Sequence, residues 1–162
     1  MKGNEIIKHS TGSLIKAIEN GLAITNKLLV PNLKPLTIVH LDDHLIFAKG
    51  VGNCILKKYP NAKIKNIQNG NDALAYVLQR LYKKEKIDLI ITDLTHPGLD
   101  GISFSKMLRE KESSSEIKIP LLFITFHSDK SVIQAIESIP SAKYLSKSDG
   151  CVKINIAIEN FI

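Results

Sequence analysis

Between Leu36 and Ile162, short apolar runs rich in β-branched residues alternate with stretches whose apolar positions recur at helical spacing. The first run, LTIVHLDD, is followed by HLIFAKGVGNCILKKY, and the second, AKIKNIQ, by DALAYVLQRLYKK. The third, IDLIITD, is continuously apolar, as a strand covered on both faces should be, and leads through a loop into ISFSKMLREKE. IPLLFIT then precedes DKSVIQAIESI, and AKYLSK precedes the closing DGCVKINIAIENFI. Five strand–helix units in a row predict an α/β domain over residues 36–162, a parallel sheet with helices on both faces. Right-handed crossovers narrow its topology further.

Residues 1–35 carry a different pattern. Ser13 is placed to cap a helix whose apolar positions Leu14, Ile18 and Leu22 recur at helical spacing, with Ile15 beside them. Leu28, Leu29 and Val30 extend it, and Pro31 and Pro35 end it. The segment reads as an N-terminal helical extension joined to the domain by PNLKP. Packing or oligomerisation is its plainer role and partner binding the sharper one.

In open parallel sheets, ligands bind beyond the carboxyl ends of the strands, where the strand order reverses. The first strand ends in Asp42 and Asp43, the third in Asp93, the fourth in Thr125 and the fifth in Lys147. In the order 2-1-3-4-5 the first and third strands are neighbours, so the three aspartates are expected to converge on one pocket. Three close carboxylates repel unless protonated or bridged by a cation, and an all-oxygen set suits Mg2+ with several waters retained. Thr125 and Lys147 offer a hydroxyl and an ammonium to a phosphoryl group. Together the residues suit formation of an acyl phosphate on an aspartate. Singly they have plainer readings: an Asp-Asp pair often opens a helix, and a threonine or lysine at a strand end is ordinary surface. Asp93 is more pointed, because an uncompensated carboxylate at the end of a buried strand is costly.

Composition changes this picture little. The chain has 162 residues, 44% of them hydrophobic and 23% charged, enough for one domain with a real core. No apolar run reaches the ~20 residues that span a bilayer, and Met1–Ser10 lacks the apolar core of a secretory signal. A cytoplasmic location without membrane association is expected. The net charge of +6 raises the question of nucleic acid, but the lysines are dispersed over separate elements and there are only two arginines, Arg80 and Arg109. Direct nucleic-acid binding by this chain is therefore not expected. Cys54 and Cys151 lack CxxC or Cys/His spacing and read as two reduced packing thiols, a disulfide being the minor alternative. His44, His96 and His127 follow three of the strands and read as exposed loop histidines, a transition-metal site with the aspartates being the sharper alternative. His40 lies inside the first strand, where a hydrogen-bond partner is expected.

In order, these pieces resemble the receiver domain of bacterial two-component response regulators. DLIITDLTHPGLDG resembles the phosphoacceptor strand and its Pro-Gly loop. VHLDDHLIFAKGV resembles the acidic pair and first helix, especially in the branch with LuxR/NarL-type outputs. AKYLSKSDG resembles the fifth strand, with an aromatic residue three positions before the lysine. The resemblance implies a flavodoxin-like (CheY-like) doubly wound five-stranded parallel sheet of order 2-1-3-4-5. It further implies that a sensor histidine kinase or phosphotransfer protein phosphorylates Asp93. Asp43, Asp93 and the Thr95 carbonyl would bind Mg2+ directly and Asp42 through water. Lys147 would pair with the phosphoryl group, Thr125 would hydrogen-bond to it, and Tyr144 would change rotamer with Thr125. Such a protein is a signalling switch rather than an enzyme, apart from assisting its own dephosphorylation. Its output, regulation of transcription in the related branch, would act through a domain or partner outside this chain, with a homodimer as a further assembly.

The sequence departs from the family in two informative places. His96 stands where an apolar residue is usual before Pro-Gly, and Phe126 follows Thr125 where a small residue is usual. Both are expected to narrow access to the acyl phosphate. Ser148 replaces a proline common after the lysine, though not in the LuxR-output branch. These departures leave open a pseudo-receiver that signals without phosphate as an interaction module. A Mg2+-dependent phosphotransferase for small molecules is the remaining alternative, and it would normally need a cap domain or substrate loop.

Overall fold

From Leu36 onward, each apolar run forms a strand and each following helical pattern a helix in the computed structural model, which describes residues 35–112 and 118–162. The strands are β1 (Thr37–Leu41), β2 (Lys63–Ile67), β3 (Leu89–Thr92), β4 (Leu121–Thr125) and β5 (Ala142–Ser146). The helices are α1 (Leu45–Lys58), α2 (Gly70–Tyr82), α3 (Gly101–Lys111), α4 (Lys130–Glu137) and α5 (Cys151–Glu159). The sheet is wholly parallel in the order β2-β1-β3-β4-β5, as expected. The extension expected over residues 1–35 lies, but for Pro35, outside the described residues.

Alternation along the central strands sorts the core into two layers. Val39, Leu41, Ile90, Leu121 and Phe123 pack with Ala73 and Val77 of α2, Phe104 and Leu108 of α3 and Ile136 of α4. Ile38, Leu89, Ile91, Leu122 and Ile124 pack with Val51 and Ile55 of α1 and Ile154 and Ile158 of α5. β1, β3 and β4 are nearly all buried, whereas the edge strand β2 exposes Lys63 and Lys65, charges that discourage edge-to-edge pairing.

Three local devices shape the loop after β3 and the start of α3. Asp100 caps α3, its Oδ1 accepting the N–H groups of Ile102 and Ser103, each at 2.9 Å. Gly101 must be glycine, because a Cβ there would lie 2.4 Å from the Asp93 carbonyl oxygen. Gly98, after Pro97, has φ +80°, the left-handed region that glycine occupies without strain.

Two expectations are corrected here. Cys54 and Cys151 are not separate thiols: they form a disulfide, with Cα atoms 5.3 Å apart. The crossovers place the first and last helices side by side on one face, which joins cysteines 97 residues apart. His40, only 1% exposed, has no hydrogen-bond partner on either ring nitrogen among the described residues. A strand interior commits its backbone groups to the ladder, which leaves none of them for the ring nitrogens.

Candidate functional site

Strand register brings the polar residues together. Leu41 is the register partner of Thr92, so the next residues, Asp42 and Asp93, emerge side by side beyond the sheet. The Asp93 N–H donates to the Leu41 carbonyl at 2.9 Å, and the Asp42 N–H to that of Ile67 at 3.1 Å. On the other side Thr125 pairs with Ser146, and the Lys147 N–H donates to the Thr125 carbonyl at 2.8 Å.

Lys147 then closes the site. Its Nζ lies 2.8 Å from Asp42 Oδ2 and 2.6 Å from Asp93 Oδ2, all three side chains being buried. Asp93 Oδ1 accepts the Leu94 N–H at 2.6 Å. Burial alone would raise the Asp93 pKa; hydrogen bonds from Lys147 and Thr125, the Lys147 charge and the Leu94 N–H together hold it below its ordinary value. Burial likewise works against the Lys147 ammonium, and its hydrogen bonds to Asp42 and Asp93, with their charges, keep its pKa raised. Asp93 is therefore an ionised carboxylate at neutral pH, the protonation state a nucleophile needs.

Asp43 is half-exposed beside this pair, and its Oδ1 accepts no hydrogen bond among the described residues. Carboxylate oxygens of Asp42 and Asp43 and an imidazole nitrogen of His44 lie within 4.8 Å of one another. His44 Nδ1 is 3.3 Å from Asp43 Oδ1 and 3.6 Å from Asp42 Oδ1, which also accepts the His44 N–H at 2.8 Å. Asp93 is linked to this group through Lys147. An acidic cluster containing an unbonded carboxylate oxygen fits a divalent cation, and the oxygen donors fit Mg2+.

The mouth of the site is apolar. Phe126 is 72% exposed, with its ring centre 5.7 Å from Lys147 Nζ, and the Phe47 ring of α1 lies 4.5 Å from the same atom. Thr95, also exposed, has its Oγ1 3.1 Å from His127 Nε2, joining the loops after β3 and β4. Tyr144 is half-buried beside Phe123, its register partner. His96 is placed differently from its expected position at the entrance. It is buried, with Nε2 3.5 Å from Thr92 Oγ1 and Nδ1 3.4 Å from the Pro97 carbonyl, and a Cβ on Gly70 would meet its ring. It packs under the Pro-Gly loop, which leaves Phe126 as the bulky residue at the mouth. Of the three loop histidines, His44 and His127 are exposed and only His44 approaches the aspartates. Phe47 escaped the sequence reading; its place in the first turn of the helix that follows the Asp42–Asp43 pair was the available signal.

Comparison with known proteins gives one consistent result. The model of the family described as "response regulator receiver domain" matches residues 38–159. The nitrate/nitrite response regulator protein NarL of Escherichia coli is 28% identical over 106 residues, covering 65% of this chain and 45% of its own length. The glycerol metabolism activator of Pseudomonas putida is 25% identical over 125 residues, covering 77% of this chain and 53% of its own. The chain thus spans about half the length, or less, of these curated relatives. The signal receiver domain of a NarL response regulator from Mycobacterium tuberculosis superposes with a TM-score of 0.65 at 22% identity, covering 78% of this chain and 95% of its own. Chemotaxis response regulator CheY4 of Vibrio cholerae gives 0.65 at 18% identity, covering 80% and 100%. At these identities the superpositions establish the CheY-like, flavodoxin-like fold.

Proposed function

Because the chain belongs to the response regulator receiver domain family, we propose that it is the receiver of a two-component phosphorelay, switched by Mg2+-dependent phosphorylation of Asp93. The observation that carries this reading is the bridge from Lys147 Nζ to Asp42 and Asp93 at 2.8 and 2.6 Å, which holds an ionised carboxylate at the open end of the sheet.

The donor is a sensor histidine kinase or phosphotransfer protein. An Asp93 carboxylate oxygen attacks the phosphorus of its phosphohistidine, the new O–P bond forming as the P–N bond breaks. Asp43 and Asp93, with the Thr95 carbonyl, would hold Mg2+ directly and Asp42 through water. When bound, the ion neutralises charge on the carboxylates and on the transferring phosphoryl oxygens. Lys147 shifts its ammonium from the carboxylates to a phosphoryl oxygen, and the Thr125 hydroxyl, now donating to Asp93, follows it. Tyr144, next to β4 in the sheet, responds to that movement. Phe126 limits both the approach of small donors and the attack of water on the acyl phosphate.

The output is transcriptional, as the resemblance to the NarL-type branch suggests, and acts through a domain or partner outside residues 36–162, with homodimerisation as one route. No helix of the described residues is long and apolar enough to cross a membrane, and the proposed location is cytoplasmic.

A Mg2+ titration followed by amide NMR tests the metal site. Shifts are expected at Asp42, Asp43, Asp93 and Thr95, weakened at least tenfold in affinity by Asp43→Asn. Shifts scattered over surface carboxylates, or unaffected by that substitution, would contradict the assignment.

A further inference from the structure

The disulfide between α1 and α5 lies close to the site and has no part in the chemistry above. Cys54 is half-buried on α1, and Cys151 is exposed as the first residue of α5. Cys151 follows directly on the turn that carries Lys147. In that turn the Asp149 N–H donates to the Ser146 carbonyl at 2.9 Å, and the Ser146 N–H to Asp149 Oδ2 at 2.9 Å. Lys153, in the first turn of α5, holds Asp149 Oδ1 at 2.5 Å. The turn and the start of α5 are thus one bonded unit. The same helix that carries Cys54 also carries Phe47, whose ring lies against the Lys147 ammonium. α1 therefore meets this unit twice, once covalently and once through Lys147.

We propose that Cys54 and Cys151 are a reversible thiol–disulfide site whose oxidation state sets the mobility of the Lys147 turn. The co-reactants are a low-molecular-weight disulfide for oxidation and the matching thiol for reduction. Cys151 is the point of entry, being exposed and placed where the N-terminus of α5 favours a thiolate. In the oxidising direction the Cys151 thiolate attacks one sulfur of the small disulfide and expels a thiolate, leaving a mixed disulfide. Cys54 loses its proton to solvent and attacks the Cys151 sulfur, expelling the second thiolate. Two electrons pass from the protein thiols to the small disulfide, and one S–S bond replaces another. Reduction reverses the steps. The fold persists without the bridge, because α1 and α5 still share the Ile55 and Ile158 core, the Lys58–Glu159 ion pair and the hydrogen bond from Asn155 Nδ2 to the Cys54 carbonyl.

The test equilibrates the folded full chain with mixtures of oxidised and reduced glutathione, traps free thiols with a maleimide and reads intact mass. Hydrogen exchange over residues 146–153 is then followed in each state. Two thiols are expected to appear and disappear together without denaturant, and exchange in that segment to be about tenfold faster after reduction. The Cys54→Ser/Cys151→Ser variant should match the reduced protein under both conditions. Cys54→Ser should form the mixed disulfide faster than Cys151→Ser. The proposal is overturned if both thiols stay open to maleimide under oxidising conditions, or if the bridge is reduced only in denaturant. Unchanged exchange over 146–153, or faster adduct formation in Cys151→Ser, would overturn it equally. None of these readouts uses phosphate, so they leave the phosphorylation reading to be judged on its own tests.

Discussion

Among individual residues, His40 stands apart because burial costs it something at neutral pH and more in acid. It lies within the fields of Asp42, Lys147 and Asp93, yet neither ring nitrogen has a hydrogen-bond partner among the described residues. Burial lowers its pKa from 6.5 to about 4, with Asp42 opposing, Lys147 reinforcing and Asp93 opposing the shift. Below pH 6.5 the unfolded chain takes up a proton that the folded chain refuses until about pH 4. Stability therefore falls as pH drops through that window, by about 3 kcal/mol in all. His40→Leu should flatten this slope, most cleanly between pH 5 and 6.5, and be at least as stable as the native chain at pH 7. Denaturant melts across pH measure this, and an unaltered slope would contradict it. Phe126 bears on rate instead. Its ring faces the Lys147 ammonium from solvent, a contact worth about 0.5–1 kcal/mol, so Phe126→Ala should speed both phosphorylation by acetyl phosphate and hydrolysis of the product by about threefold or more. Equal rates in the two proteins would remove Phe126 from the account.

At the scale of elements, the far end of the sheet depends on one buried ion pair. Arg109, near the end of α3, pairs with Glu112, both side chains at most 10% exposed. Its Nε donates to the Pro140 carbonyl at 2.9 Å and its Nη2 to that of Ile119 at 2.8 Å, while Glu112 Oε1 accepts the Ile119 N–H at 3.0 Å. The pair thus fastens α3 to the entry of β4 and to the turn before β5. Arg109→Ala would strand a buried carboxylate and should cost about 3–5 kcal/mol, lowering Tm by about 10 °C or more. A thermal melt within 2–3 °C of the native chain would show the pair to be dispensable.

The sequence was most legible where one residue type suffices to define a place. Short runs dominated by apolar and β-branched residues, such as LIIT, LLFIT and TIVHL, located the strands, and the polar residues at strand ends picked out Asp42, Asp93, Thr125 and Lys147. It was least legible where a partner is supplied by topology. The Cys54–Cys151 bridge depends on α1 and α5 sharing a face, and neither local pattern announces that. The burial of His96 depends on the path of the loop after β3, and the clamp on Arg109 on backbone carbonyls that no motif marks.

At the scale of the whole domain over residues 35–162, the polar residues Asp42, Asp43, Asp93, Thr125 and Lys147 gather at one end of the parallel sheet. Lys147 reaches into the site from the end of β5, and the turn behind it leads directly into α5, so Asp93 is connected to an outer helix through one ion pair and a short stretch of chain. That path makes the domain a switch only if Asp93 is phosphorylated. The most direct measurement is intact mass after brief incubation with acetyl phosphate and Mg2+, alongside Asp93→Asn and EDTA controls. A gain of about 80 Da, one phosphoryl group on a carboxylate nucleophile, should appear in the native chain and in neither control. A gain that persists in Asp93→Asn, or that forms equally well in EDTA, would contradict the assignment of Asp93 and its metal.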